Sequence, residues 1–269
     1  MPTIISMHSF RGGTGKSTLT ANLAGSMVQQ GRRVAIVDTD IPSPGIHVLF
    51  GLDQANMGPT LNDYLYGHCP IEEVAHDLTS TLGEPGASGT LYLLPSSIQA
   101  RDIAKILREG YEINLLQDGL YAVSEALTLD CLLLDTHPGL NEETLLSIGI
   151  SDLLVVLLRP DKQDFQGTAI TLEVARKLAV EQSLLVVNKV LPSLDGESLK
   201  QHLQQTYHVP VAGVLPLSEE VVRMGSEGLC LLQYPEDPYS QGVREVAAQL
   251  LSVAGDTSER KAREGSEAG

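Results

Sequence analysis

The sequence predicts an α/β fold: a doubly wound, mostly parallel sheet with helices on both faces. Three observations carry that expectation. Short apolar runs alternate with longer stretches whose aliphatic residues recur at helical spacing. Several runs, Cys131-Leu132-Leu133-Leu134 among them, are almost continuously apolar, as strands are when helices cover both faces of a sheet. Finally, the residues suited to chemistry stand directly after such runs, at the strand ends where an open α/β sheet binds its ligands.

The first run, Thr3 to Met7, leads into Ser9-Phe10-Arg11-Gly12-Gly13-Thr14-Gly15-Lys16-Ser17-Thr18 and then a helix carrying Leu19, Leu23, Met27 and Val28. Gly31 marks the end of that helix. Arg33 to Val37 is a second strand, closed by Asp38-Thr39-Asp40. Residues 41–47 hold two prolines, which remove backbone donors, so an ordered loop beside the site is expected there. Short helices are expected around residues 61–65 and 71–74, and a flexible surface loop over 82–89. Leu91 to Pro95 reads as a strand, followed by helices over about 98–109 and from about 112, the second with a core-facing side of leucines and Val123. The strand at Cys131 ends in Asp135-Thr136-His137-Pro138-Gly139. Strands over 153–158, 184–187 and 211–215 alternate with helices over about 165–180 and 198–207. A short helix near Glu219 and a closing helix over about 241–253 complete the count. Residues 255–269 are polar and mixed in charge, which predicts a disordered tail.

The bulk numbers bound the function. A chain of 269 residues, 42% hydrophobic, supports one sizeable core, so residues 1–254 are expected to form one domain. No apolar run approaches the ~20 residues that span a bilayer, and the start lacks a signal-peptide pattern. Cys69, Cys131 and Cys230 form no C-x-x-C pair, which predicts reduced thiols in a cytoplasm. The net charge of −16 argues against a surface that coats DNA, although a local basic patch remains open, and it gives little attraction to anionic lipid. Arg101, Lys105 and Arg108 share a helix face that reads as solvated.

A strand, a glycine-rich turn and a helix start form the context of a phosphate-binding loop. Glycines let successive N–H groups point inward, and the helix N-terminus adds its positive end. In such a loop Lys16 reaches the β- and γ-phosphates and the Ser17 hydroxyl ligates Mg²⁺. Phe10 stands where the motif G-x-x-x-x-G-K-S/T has its first glycine. The run Gly12-Gly13-Thr14-Gly15-Lys16-Ser17 resembles the deviant loop of the ParA/MinD family of P-loop ATPases, which reads Lys-Gly-Gly-x-Gly-Lys-Ser/Thr and often lacks that first glycine. The family's signature lysine contacts phosphates across an ATP-sandwich dimer. Arg11 holds its place here, keeping the charge with a different reach and a planar fork.

The resemblance extends over about residues 3–251 and implies a set of roles. ATP is expected on Gly12, Gly13, Thr14, Gly15, Lys16, Ser17 and Thr18. Mg²⁺ is expected near Ser17, Asp38 and Asp135, the last as the acid after an apolar strand. Asp40 becomes the acid that positions the attacking water, with Lys16 and Arg11 completing the catalytic set; the alternative is that Asp38 and Asp40 merely end a strand. Asn188 would read the adenine edge, or else cap a turn, and Pro216 would pack on the base. The residue three after Asn188 is Leu191, whereas a GTPase would usually show Asp there. Gly139 would let the loop after Asp135 pivot. His137 reads as a hydrogen-bonded loop histidine, and His8, His47, His68 and His76 show no metal-ligand spacing.

By this resemblance the chain is a cytoplasmic, ATP-dependent homodimer with a protein adaptor or activator, acting in positioning or partitioning of DNA or another large cargo. No membrane-targeting helix of the MinD kind, and no cluster-binding cysteine motif, is legible. Two other functions fit the same fold: an ATP-dependent ligase or synthetase with a small-molecule pocket over residues 53–110, and a nucleotide-binding scaffold with little turnover.

Overall fold

The computed structural model describes residues 2–83 and 89–267, with residues 256–267 described by backbone alone. The chain opens with β1 (Thr3–His8) and α1 (Lys16–Gln29), joined by the glycine-rich turn. Then follow β2 (Arg33–Asp38), a 3₁₀ turn over Ile46–Phe50, α2 (Leu61–Leu65), α3 (Ile71–Val74), β3 (His76–Asp77) and β4 (Thr90–Leu94). The middle holds α4 (Ala100–Glu109), α5 (Ile113–Ala126), β5 (Cys131–Asp135) and α6 (Glu142–Gly149). The last third alternates β6 (Leu153–Leu158), α7 (Lys162–Lys177), β7 (Gln182–Val190), α8 (Gly196–Tyr207) and β8 (Val211–Pro216). It ends with α9 (Glu219–Arg223), α10 (Cys230–Gln233) and α11 (Pro238–Glu267).

The eight strands form one sheet in the order β3-β4-β2-β5-β1-β6-β7-β8, parallel except for the β3 edge. Burial explains the apolar runs. Every residue of β1, β5 and β6 is buried, because alternate side chains enter different helical layers. Ile5, Met7 and Leu133 meet Leu19, Leu23 and Met27 of α1 and Val243, Val246 and Leu250 of α11. Ile4, Leu132 and Leu134 face the other way, onto Leu116, Leu120 and Val123 of α5. Leu154 and Val156 continue that second face onto Leu172 and Ala175 of α7 and Leu203 of α8. Since β1, β2 and β4 to β8 run parallel, His8, Asp38, Asp135, Val190 and Pro216 all end at one sheet edge.

Four features depart from the sequence expectation. The closing helix runs to Glu267, so residues 255–267 of the tail expected to lack structure continue α11 as helix, residues 268 and 269 lying outside the described residues. Glu259, Lys261, Ala262, Arg263 and Glu264 are strong helix formers, and no proline follows Pro238, so nothing stops the helix where the core-facing residues end. Second, β3 is a two-residue antiparallel edge, too short to leave a pattern. Third, α6 and α10 were not expected; α6 is capped by Asn141, whose side chain accepts from Thr144 N at 2.8 Å. Fourth, β7 is longer at both ends than the four apolar residues that announced it. Of the expected surface loop over 82–89, residues 84–88 lie outside the described residues.

Candidate active site

The loop between β1 and α1 is shaped to hold an anion. Gly13 and Gly15 take left-handed φ values of 77° and 94°. At Gly15 a Cβ would also stand 2.6 Å from Asn188 Nδ2, so this glycine is needed for space as well as for conformation. Gly15 caps α1 without a side-chain hydrogen bond, and the first turn carries no acid, so the helix N-terminus keeps its donors for a ligand. Two side chains from the end of β7 pin the loop. Asn188 Nδ2 donates to Thr14 O at 2.9 Å and Lys189 Nζ to Gly13 O at 2.8 Å. Lys189 itself has φ 59°, and burial, with Arg159 nearby, lowers its ammonium pKa.

Phe10, the departure from the glycine motif, has a structural use. Its ring lies directly against Gly167 of α7, so closely that any Cβ at Gly167 would overlap it. The loop is thereby packed onto the helix following β6.

Gly12 to Thr18 line a cavity of about 300 Å³ together with Ser9, Asp40, Ser43 and Pro138. Thr14 Oγ1 is buried there without a hydrogen-bond partner, and a phosphate oxygen would supply one. A second cavity of about 260 Å³ shares Gly15 and Thr18 and adds Asn188, Lys189, Pro216 and Tyr239. A cavity of about 1080 Å³ lies at the opposite sheet edge beside Ile4, Asp130 and Asp152. There Asp130 already accepts from Arg33 N at 2.8 Å and Asp152 from Ile4 N at 3.0 Å, so its carboxylates serve the backbone.

The two strand-end acids are neighbours across the sheet, Asp38 opposite Asp135, and both are buried. Lys16 Nζ donates to Asp135 Oδ1 at 2.7 Å, where Thr20 Oγ1 also donates at 3.2 Å. Asp38 accepts from Asp40 N at 3.1 Å and Gly45 N at 3.2 Å. Burial first, and the Asp135 carboxylate second, push the Asp38 pKa up to about 8, against the opposing pull of Lys16. An acidic pair served by one lysine is short of positive charge. Mg²⁺ fits this donor set: it binds through one or two carboxylates, a hydroxyl and substrate phosphates instead of an all-protein cage. Among the described residues no group of three or more His, Cys, Asp or Glu side chains is placed to hold a metal ion by itself.

His8, at the end of β1, is fully buried, and its pKa is pushed down to about 3 by burial, then by Lys16 and His137. Thr136 Oγ1 donates to Met7 O at 3.0 Å, so His8 Nδ1 is the donor in its 3.1 Å contact with Thr136, leaving Nε2 bare and unpartnered. Asp40 is gripped by His137 Nδ1 at 2.7 Å and Ser43 Oγ at 3.0 Å. The hydrogen bond expected of His137 is present, and its partner is the acid at the end of β2.

Arg11 stands apart from the cavity. Its guanidinium lies 3.5 Å from both Asp161, the cap of α7, and the buried Asp164. Asp164 also binds Arg159, through N at 2.8 Å and Nε at 3.0 Å. The basic helix face on α4 is likewise engaged: Lys105 Nζ sits 3.5 Å from the Tyr66 ring centroid and Arg101 pairs with Asp102 at 3.2 Å. Cys69, Cys131 and Cys230 are free thiols. His76, in β3, bonds Pro59 O at 2.7 Å, and His68 faces Asp63 at 3.6 Å.

The sequence thus pointed to the loop, Asp38, Asp40, Asp135, Asn188 and Pro216, which the fold gathers at one edge. It gave no sign of Ser43, Thr20, Asp161 or Asp164, which belong to none of the motifs.

Residues 5–232 match the model of the CobQ/CobB/MinD/ParA nucleotide binding domain. An uncharacterised ATP-binding protein of Methanocaldococcus jannaschii is 27% identical over 265 residues, covering 98% of this chain and 93% of that protein. The septum site-determining protein MinD of Neisseria meningitidis is 22% identical over 93% of this chain and 92% of its own. Among solved structures, MinD of Pyrococcus horikoshii in complex with Mg-ADP superposes with a TM-score of 0.77 at 24% identity, covering 96% of this chain and 99% of the other.

Proposed function

The chain belongs to the CobQ/CobB/MinD/ParA nucleotide-binding family, and from that premise we propose that it is a Mg-ATP-dependent ATPase switch that closes as a homodimer, over residues 1–254. The observation that carries this reading is the convergence of the glycine-rich loop, Lys16, the strand-end Asp38 and Asp135, and Asp40 just beyond β2 on one sheet edge. Backbone N–H groups of Gly12 to Thr18 cradle the phosphates, and Lys16 leaves Asp135 to neutralise the β- and γ-oxygens. Ser17, Asp38 and Asp135 are the residues that would hold Mg²⁺, which would supply positive charge to the phosphates. Asp40 orients the attacking water. Asn188 and Pro216 hold the adenine in the adjoining cavity.

Part of the same proposal is a role in positioning a large cargo in the cytoplasm through a protein adaptor or activator, and the name septum site-determining protein of one relative is in keeping with positioning. DNA as the cargo is disfavoured by the net charge of −16. Among the described residues no helix is long and apolar enough to cross a membrane. Arg11 has two readings. In the first it swings across the dimer to the partner's phosphates; in the second it only anchors its own loop, and the ion pairs to Asp161 and Asp164 favour that second role before dimerisation.

Titration with a fluorescent ATP analogue tests the reading. Lys16→Ala removes a charge-assisted contact, so affinity should fall about 10-fold or more. Equal affinity in the parent and the variant would end it.

A further inference from the structure

Asp40 is held from the loop that follows Asp135. Its Oδ1 accepts from His137 Nδ1 at 2.7 Å, Ser43 Oγ at 3.0 Å and Ser43 N at 3.3 Å. A carboxylate can only accept, so Nδ1 carries the proton of the shortest contact. No hydrogen bond among the described residues engages Oδ2, and the Asp40 side chain, 13% exposed, lines the loop cavity. Three donors on one oxygen fix the rotamer and leave the other oxygen as the acceptor for whatever enters that cavity. His137 is itself tied down, since its carbonyl accepts from Thr144 Oγ1 of α6 at 3.3 Å. Two residues on, Gly139 N donates to Ser9 O of the phosphate loop at 3.1 Å.

We infer that His137 is a positioning residue for hydrolysis: by gripping Oδ1 it presents Asp40 Oδ2 to the attacking water. This rests on the reading of Asp40 given above. In the step concerned, the water oxygen bonds the γ-phosphorus while the bond from that phosphorus to the β,γ-bridging oxygen breaks. ADP leaves with the electron pair of that bond, and the water's proton passes to Oδ2 and then to the released phosphate. Because His137 rides on the loop after Asp135, the grip lasts only while that loop holds its place beside the phosphates. Ser43 alone is a weaker anchor, its contacts being longer.

Steady-state hydrolysis of Mg-ATP, with binding of a fluorescent ATP analogue measured alongside, tests this in His137→Ala, His137→Asn, His137→Gln, Asp40→Ala and the Asp40→Ala/His137→Ala double variant. His137→Ala should lower kcat about 10- to 100-fold with KM and analogue affinity unchanged. His137→Asn places an amide donor near the position of Nδ1 and should recover most of the rate, whereas His137→Gln carries its donor too far along the side chain and should not. In the double variant the rate should equal that of Asp40→Ala, because the two residues act as one unit. Parent kcat in His137→Ala, equal losses in the Asn and Gln variants, or a further loss in the double variant would overturn the inference. Parent-level turnover in Asp40→Ala would instead overturn the reading of Asp40 on which it rests, as would a parent chain that binds ATP and never hydrolyses it.

Discussion

Asp38 is a carboxylic acid kept in the wrong charge state by its surroundings, and that has a consequence for stability. Buried beside Asp135, it titrates near 8 instead of 3.8. Between those values the folded chain holds a proton that the unfolded chain has released, so stability falls as pH rises through the window. The contribution is fully present below 3.8 and gone above about 8. Asp38→Asn removes this titration. In the absence of nucleotide and magnesium, its urea midpoint should therefore gain on the parent as pH rises from 5 to 8, by at most about 1.4 kcal/mol per pH unit. Parallel midpoints for parent and variant across that range would show that Asp38 is already charged. His8 works the other way. Its pKa near 3 means that acid favours the unfolded chain below the usual histidine range, a loss that sets in as pH drops through 6.5 toward 3. Both groups sit at the ends of central strands, where the site sets their protonation and the sheet pays for it in stability.

At the scale of elements, α7 is the piece that the phosphate loop leans on. Phe10 fills the space that Gly167 leaves, and Asp161 and Asp164 at the start of the same helix hold Arg11. Gly167→Ala must displace the Phe10 ring, an overpacking that typically destabilises by about 1–3 kcal/mol. It should lower the melting temperature and shrink the further rise on adding Mg-ATP, as read by differential scanning fluorimetry. An unchanged ATP-induced rise would mean that Phe10 anchors nothing the nucleotide uses. None of this was legible in the sequence, where Phe10 reads only as a missing glycine. What was legible is local. The loop spacing, the acids after apolar runs and the periodicity of α1, α5 and α7 all lie within a few residues of one another, so pattern alone exposes them. Two-residue β3 and the short α6 carry too few residues to show a period. Contacts such as His137 with Asp40, 97 residues apart, arise only when β2 and β5 become neighbours. The tail was misread for a different reason: with no apolar face it resembled disorder, yet its helix formers extend α11 from a helix already nucleated by the core.

For the whole molecule, the open question is what the nucleotide assembles. A single chain presents Lys16 committed to Asp135 and Arg11 committed to Asp161 and Asp164, so each cation that the phosphates require already has an acid of its own. Under the proposed function Mg-ATP draws Lys16 away from its acid, and under the dimer reading the partner's phosphates compete with α7 for Arg11. Because the Lys16–Asp135 pair is buried, parting it leaves two desolvated charges, so the exchange requires that both be satisfied anew, Lys16 by the phosphates and Asp135 by a cation or its water. The exposed half of the Arg11 pairs contributes little, since ion pairs open to solvent are worth about 0–1 kcal/mol. Closing is therefore expected to follow nucleotide occupancy. The most direct measurement is the molar mass of Asp40→Ala in solution, by light scattering behind a sizing column, with saturating Mg-ATP and again with Mg-ADP. The predicted result is twice the chain mass with ATP and the single-chain mass with ADP; a single-chain mass in both, with ATP shown to be bound, would contradict the dimerising switch.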